Sequence, residues 1–82
     1  MAQISFMTVK ERVLYSIYTH FKIGDLHELS KEKLSSEACA PLRSINRAIA
    51  KCVEEGLIAY KKKRFTVLSS EKIAEYLEEV LD

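Results

Sequence analysis

The stretch from Pro41 to Leu68 leaves this chain few choices of fold. With its neighbours Ala40 and Ser69 it reads APLRSINRAIAKCVEEGLIAYKKKRFTVLS. Pro41 suits the first position of a helix, where its missing N–H has no partner to lose. Gly56 suits the left-handed position just past a helix end. Between them Leu42, Ile45, Ile49, Cys52 and Val53 recur at helical spacing and fall on one face. Arg43, Ser44, Arg47 and Lys51 fall on the other, within an arc of about 100°. The spacing therefore predicts a helix over 41–55, with one side to be buried and the other a row of donors.

Two short runs rich in strand formers follow, Leu57-Ile58-Ala59-Tyr60 and Phe65-Thr66-Val67-Leu68. Lys61, Lys62, Lys63 and Arg64 lie between them. The pattern is a hairpin with a cationic tip. The tip lacks the Asn-Gly or Gly-x pair of a tight two-residue turn, so the sequence leaves its geometry open.

The series Ser44-Ile45-Asn46-Arg47-Ala48-Ile49, then Val53-Glu54-Glu55-Gly56-Leu57-Ile58, then a basic hairpin resembles the winged helix-turn-helix family. Many of its regulators carry a serine and an arginine early in the recognition helix. They then turn into the wing through a hydrophobic-Glu-Glu-Gly-Leu-Ile segment. The resemblance covers residues 8–69. It is nearest to small archaeal, viral or plasmid regulators and to minimal MarR and PadR relatives. It implies an α+β winged-helix fold in the order helix, short strand, helix, recognition helix, hairpin, helix.

The remaining segments fit that order. Residues 2–7 suit a short strand or an arm. Thr8 and Glu11 have capping-box spacing, and Val9, Val13, Leu14, Ile17, Tyr18 and Phe21 continue as a helical stripe toward a stop at Gly24. Asp25 and Glu28 repeat the capping-box spacing. The preferred reading of residues 25–29 is nonetheless an extended segment that buries Leu26 and Leu29. Ser30 caps a second helix that ends at Ala38, with Leu34 and Ala38 on one face, and Cys39-Ala40 forms the turn into the Pro41 helix. Ser70 caps a last helix over 71–81, with Ile73, Leu77, Val80 and Leu81 in a stripe and Tyr76 beside it.

Eighty-two residues make one domain, residues 1–82, with a core over 8–69 and an added helix over 70–82. So small a chain covers its apolar surface poorly. The terminal stripe of Ile73, Tyr76, Leu77, Val80 and Leu81 is accordingly expected to pair two copies as a homodimer. The formal charge of +1 hides an uneven distribution. Seven cations between residues 43 and 64 face only Glu54 and Glu55, whereas Lys72 faces five acidic residues between 65 and 82. A polyanion is expected at one end of the molecule and not at the other. No apolar run reaches the ~20 residues of a membrane span. The first residues lack the basic start and apolar core of a signal peptide, so a cytoplasmic location is expected.

The chemistry of the side chains narrows the function. Arg43, Ser44, Arg47 and Lys51 read as major-groove contacts, since arginine can bond two acceptors on guanine and serine and lysine reach phosphates or base edges. The alternative is a solvated helix face. Lys61, Lys62, Lys63 and Arg64 read as phosphate contacts beside it; the alternative is a solvated turn that discourages edge pairing. Asn46 lies at the edge of the buried face. His20, His27, Cys39 and Cys52 match no zinc spacing, so neither a metal nor a cofactor is expected, and the sequence marks no small-molecule pocket. A straight helix puts Pro41 and Cys52 about 16 Å apart, beyond the ~7 Å that a disulfide spans between Cα atoms. Cys52 is thus a small core residue, and Cys39, near the surface, is available to a second chain. No nucleophile motif or Gly-rich phosphate loop is present. Tyr15, Tyr18, Tyr60 and Tyr76 read as packing residues rather than acids or bases, and no enzyme activity is expected. The chain reads as a regulator of transcription that binds double-stranded DNA as a homodimer, with repression the expected effect. The other class it fits is a winged-helix module that binds protein and no nucleic acid.

Overall fold

The computed structural model describes residues 8–81, with side chains to residue 79. The elements are α1 (Val9–Ile23), a 3-10 turn (Leu26–Glu28), α2 (Lys31–Ala38), α3 (Leu42–Glu54), β1 (Ile58–Lys61), β2 (Arg64–Val67) and α4 (Ser70–Leu81). The expected strand or arm at 2–7 and the side chains of Val80 and Leu81 lie outside the described residues.

Local chemistry sets most element ends. Thr8 and Glu11 form the expected capping box: the Glu11 N–H donates to Thr8 Oγ1 at 3.2 Å, and the Thr8 N–H donates to Glu11 Oε1 at 2.8 Å. Gly24 ends α1 in the left-handed region, φ +99°. The Lys33 N–H donates to Ser30 Oγ and caps α2. Pro41, expected as the first helical residue of α3, is instead its cap. Its ψ of 156° is extended, and its carbonyl already accepts from the Ile45 N–H at 3.0 Å. Ser70, expected as a cap, is the first residue of α4, and Ser69 supplies the carbonyl that accepts from Ile73.

The extended segment expected at 25–29 is a 3-10 turn. The Glu28 N–H donates to the Asp25 carbonyl at 2.9 Å, and the Leu29 N–H donates to the Leu26 carbonyl at 3.0 Å. These bonds curl the segment on itself instead of extending it beside the hairpin. The sheet among the described residues has two strands, not three. Leu29 is buried and Leu26 half-buried, as expected.

One core draws on every element. Val13, Leu14 and Ile17 from α1 join Leu34, Ile45, Cys52, Ile58 and Ile73, each at 0% exposure. Burial of each large aliphatic side chain is worth about 1.5–3 kcal/mol against exposure. Three corrections follow from how the helices meet this core. The buried face of α3 is centred on Ile45, Ala48, Ile49 and Cys52, which leaves Leu42 and Val53 about 70–90° off its centre and more than 40% exposed. Phe21 runs past the core in the last turn of α1 and lies along Tyr18, ring centroids 6.5 Å apart, while Tyr15 is exposed rather than packed. Ile73 and Leu77, expected on a dimer surface, are buried in the chain's own core, and Tyr76 is half-buried beneath the Lys10 ammonium. The fold covers Ile73 and Leu77 because α4 packs along α1.

His20 is the buried polar centre that the sequence did not disclose. Its Nδ1 lies 2.7 Å from Asp25 Oδ1, and its Nε2 lies 3.0 Å from Glu37 Oε2. Both nitrogens can donate only in the imidazolium. Burial opposes that charge, but the hydrogen bonds and charges of Asp25 and Glu37 outweigh it and hold His20 above its ordinary value. The bond from His20 holds the Asp25 carboxyl below its own. A raised imidazole value means stability that is fully present below about pH 6.5 and is lost as pH rises through the folded-state value. Urea unfolding midpoints should therefore fall between mildly acidic and mildly alkaline pH, and His20→Gln should remove most of that slope. A wild-type midpoint that stays level across this range would rule out the imidazolium bridge.

Candidate functional site

The expected cationic residues lie on α3 and the hairpin. Arg43, Arg47 and Lys51 are exposed and Ser44 is half-buried. Asn46, placed from the sequence at the core edge, is exposed as well. Only Glu55, Gly56 and Leu57 separate α3 from β1. Gly56 takes φ +76°, a conformation that permits so abrupt a change from helix to strand. The base of the hairpin is thereby tethered close to the end of α3.

The hairpin is tighter than its sequence suggests. Ile58 pairs with Val67 and Tyr60 with Phe65, and these four buried or half-buried residues make one face. The rings of Tyr60 and Phe65 lie 4.6 Å apart across the strands. A slip of one residue would turn that face outward, so the register is fixed by burial. Lys61 then pairs with Arg64, and only Lys62 and Lys63 remain for the turn. Both take positive φ, 51° and 62°. A type I′ turn requires this, and Asn-Gly is its usual sequence. Lysines in the left-handed region cost about 1 kcal/mol or more each, and Lys61 opposite Arg64 adds like-charge repulsion.

An open groove of about 430 Å³, unmarked in the sequence, runs between the start of α1 and the flank of α3. Val9 and Ala48 give it an apolar lining, and the side chains of Thr8 and Ser44 add hydroxyls. Arg47 and Lys51 also line it, so two of the expected cations share this groove. At one end Lys10 Nζ donates to Glu55 Oε2 at 2.6 Å. That hydrogen bond outweighs burial and holds the lysine above its ordinary value. No sequence signal announces this pair, whose members are 45 residues apart. None of the seven cations from Arg43 to Arg64 makes an ion pair among the described residues.

The cysteines are both free, Cys39 exposed and Cys52 buried. Burial pushes the Cys52 thiol up to about 11. Among the described residues no group of three or more His, Cys, Asp and Glu side chains is placed to hold a metal ion. None of the described helices is long and apolar enough to cross a membrane.

No protein-family model matches the sequence, and no curated protein matches it. A solved structure assigned to a transcriptional regulator of the Crp/Fnr family, from Eubacterium rectale, superposes on 93% of this chain with a TM-score of 0.82 and 18% identity. This chain spans 36% of the length of that one. The likeness is one of fold: α+β, winged-helix, with a helical core, a two-stranded wing and a terminal helix. It does not extend to the narrower MarR or PadR resemblance.

The turn geometry yields a test. Replacing Lys62 with Asn and Lys63 with Gly should stabilise the fold by about 1 kcal/mol, a rise of about 4–8 °C in melting temperature for a domain of this size. A lower melting temperature in the double variant would refute left-handed backbone at both lysines.

Proposed function

We propose that this chain binds double-stranded DNA and acts as a regulator of transcription. The observation that carries the reading is the wing tip: four cations held in a strained, self-repelling turn with no acidic partner among the described residues. A turn that served stability alone would gain from the residues it lacks. The neighbouring Arg43, Arg47 and Lys51 are likewise exposed and without ion-pair partners among the described residues, and the fold likeness to a Crp/Fnr regulator agrees. In this reading Arg43, Ser44, Arg47 and Lys51 face the major groove while Lys61, Lys62, Lys63 and Arg64 hold flanking phosphates. Asn46, exposed on the same helix, joins the candidate base contacts.

Repression by a homodimer on a palindromic site is the finer form of the proposal. Ile73 and Leu77 do not support it, because both are buried within the chain. Sedimentation at micromolar concentration decides the pairing. A protein-binding module is the second reading, and the exposed Tyr15, Phe21 and Ile23 on α1 are the observation in its favour.

Duplex affinity measured by fluorescence anisotropy across a salt series tests the main reading. Replacing Lys61, Lys62, Lys63 and Arg64 with Ala should flatten the slope of log affinity against log salt by about 0.9 for every phosphate no longer neutralised. Arg47→Ala should cost about 1–3 kcal/mol at the preferred sequence and relax preference there. Affinity no tighter than about 1 mM at low salt for random and genomic duplexes alike would overturn DNA binding.

A further inference from the structure

We infer that the groove between α1 and α3 is a binding site for a small anion with an aliphatic body, a monocarboxylate in chemical class, and that its occupancy weakens the hold of α3 on DNA. The competition rests on the proposed function; the site itself does not.

The lining separates by chemistry. Val9 and Ala48 offer aliphatic surface, and among the described residues no aromatic side chain lines the groove, which favours an aliphatic over a stacked guest. Arg47 and Lys51 offer two cations with no carboxylate partner among the described residues. Glu55 is the one carboxylate of the lining among the described residues, and Lys10 engages it at 2.6 Å, so the acidic end of the groove is already neutralised. The hydroxyl of half-buried Ser44 lies on the same side of α3 as Lys51. A guest with an apolar body of a few carbons and one negative charge satisfies both parts of this lining, with the carboxylate toward Arg47 and Lys51. A bare phosphate would leave Val9 and Ala48 uncovered, and a neutral guest would leave the cations unanswered. The volume, about 430 Å³, is within the ordinary range for small-molecule sites.

The position of the two cations supplies the consequence. Arg47 and Lys51 are also proposed to meet the major groove. A carboxylate bound there occupies donors and neutralises charge on both side chains, so the guest draws from α3 part of the charge that DNA needs. The wing cations do not line the groove and stay available. Occupancy therefore weakens sequence-reading contacts and leaves wing-phosphate contacts in place.

Hexanoate is the probe, with hexanamide as its uncharged counterpart and acetate and inorganic phosphate as charges without the apolar body. Amide chemical shifts of the full chain are followed during titration. Hexanoate should bind with a dissociation constant of about 1 mM, fitting for so small a ligand, and move the signals of Val9, Ser44, Ala48 and Lys51. Hexanamide, acetate and phosphate should bind at least about tenfold more weakly, since each lacks one of the two contacts. Arg47→Gln and Lys51→Gln, made separately because both residues are exposed, should each weaken hexanoate while the rest of the spectrum keeps its dispersion. Hexanamide, acetate or phosphate binding as well as hexanoate overturns the site, as does an absence of saturable shifts. At ten times its own dissociation constant, hexanoate should lower duplex affinity severalfold, with about tenfold the mass-action ceiling. Duplex affinity unchanged at that concentration overturns the competition. A chain that binds hexanoate but no duplex keeps the site and loses the proposed function, so the two failures are distinct.

Discussion

The structure depends on the packing of α1 against α3. Val13, Leu14 and Ile17 on one helix and Ile45, Ala48, Ile49 and Cys52 on the other belong to a single buried cluster. Helix α1 also touches α2, α4, β2 and the 3-10 turn, so nearly every element is positioned through it. Polar ties then fix α2 to the same helix. Arg12 donates to the Ala38 carbonyl at 3.1 Å, and His20 meets Glu37. These hold the last turn of α2, from which Cys39 and Ala40 lead into α3. The orientation of the exposed face of α3 is thus set by contacts on its hidden side and by two side chains of α1.

The same packing explains why the cationic surface can be so one-sided. Charge that is unpaired on the native protein costs little while it stays in water. Every cation from Arg43 to Arg64 is exposed, so the core is indifferent to them. The strain at Lys62 and Lys63 is different, because it is a backbone cost imposed by the register of Tyr60 with Phe65. Aromatic pairing one step below the turn compels the conformation at its tip. Strain of this sort persists where the surrounding structure over-determines it.

What can be read from the sequence is what short-range chemistry decides. Thr8 with Glu11, Gly24, Ser30 and Gly56 are all within a few residues of the groups they satisfy, and their helix ends are legible to within a residue. The apolar periodicity of α3 is legible too, except at its edges, where Leu42 and Val53 carry the right chemistry at the wrong angle. Residues 25–29 mislead because apolar Leu26 and Leu29 suit a strand and a 3-10 turn equally, and local hydrogen bonds choose the turn. The His20–Glu37 contact and the Lys10–Glu55 bridge are illegible, since each needs the tertiary fold to bring its members together. Ile73 and Leu77 mislead for a related reason: apolar residues on α4 say that something must cover them, and only the fold shows that α1 does. The cationic residues of α3 and the wing are evident in the sequence, but the groove that joins Arg47 and Lys51 to the start of α1 is not.

The two free thiols differ by more than their addresses. Cys39 is at the solvent surface, in the left-handed joint between α2 and α3, whereas Cys52 is wholly enclosed and its thiol is pushed to about 11. Alkylation proceeds through the thiolate, so a dilute reagent marks Cys39 first and Cys52 only when the core comes apart. The unaltered chain therefore carries its own pair of chemical reporters. One accepts a fluorophore beside the joint without any engineered residue, and the other keeps time on how often the interior opens.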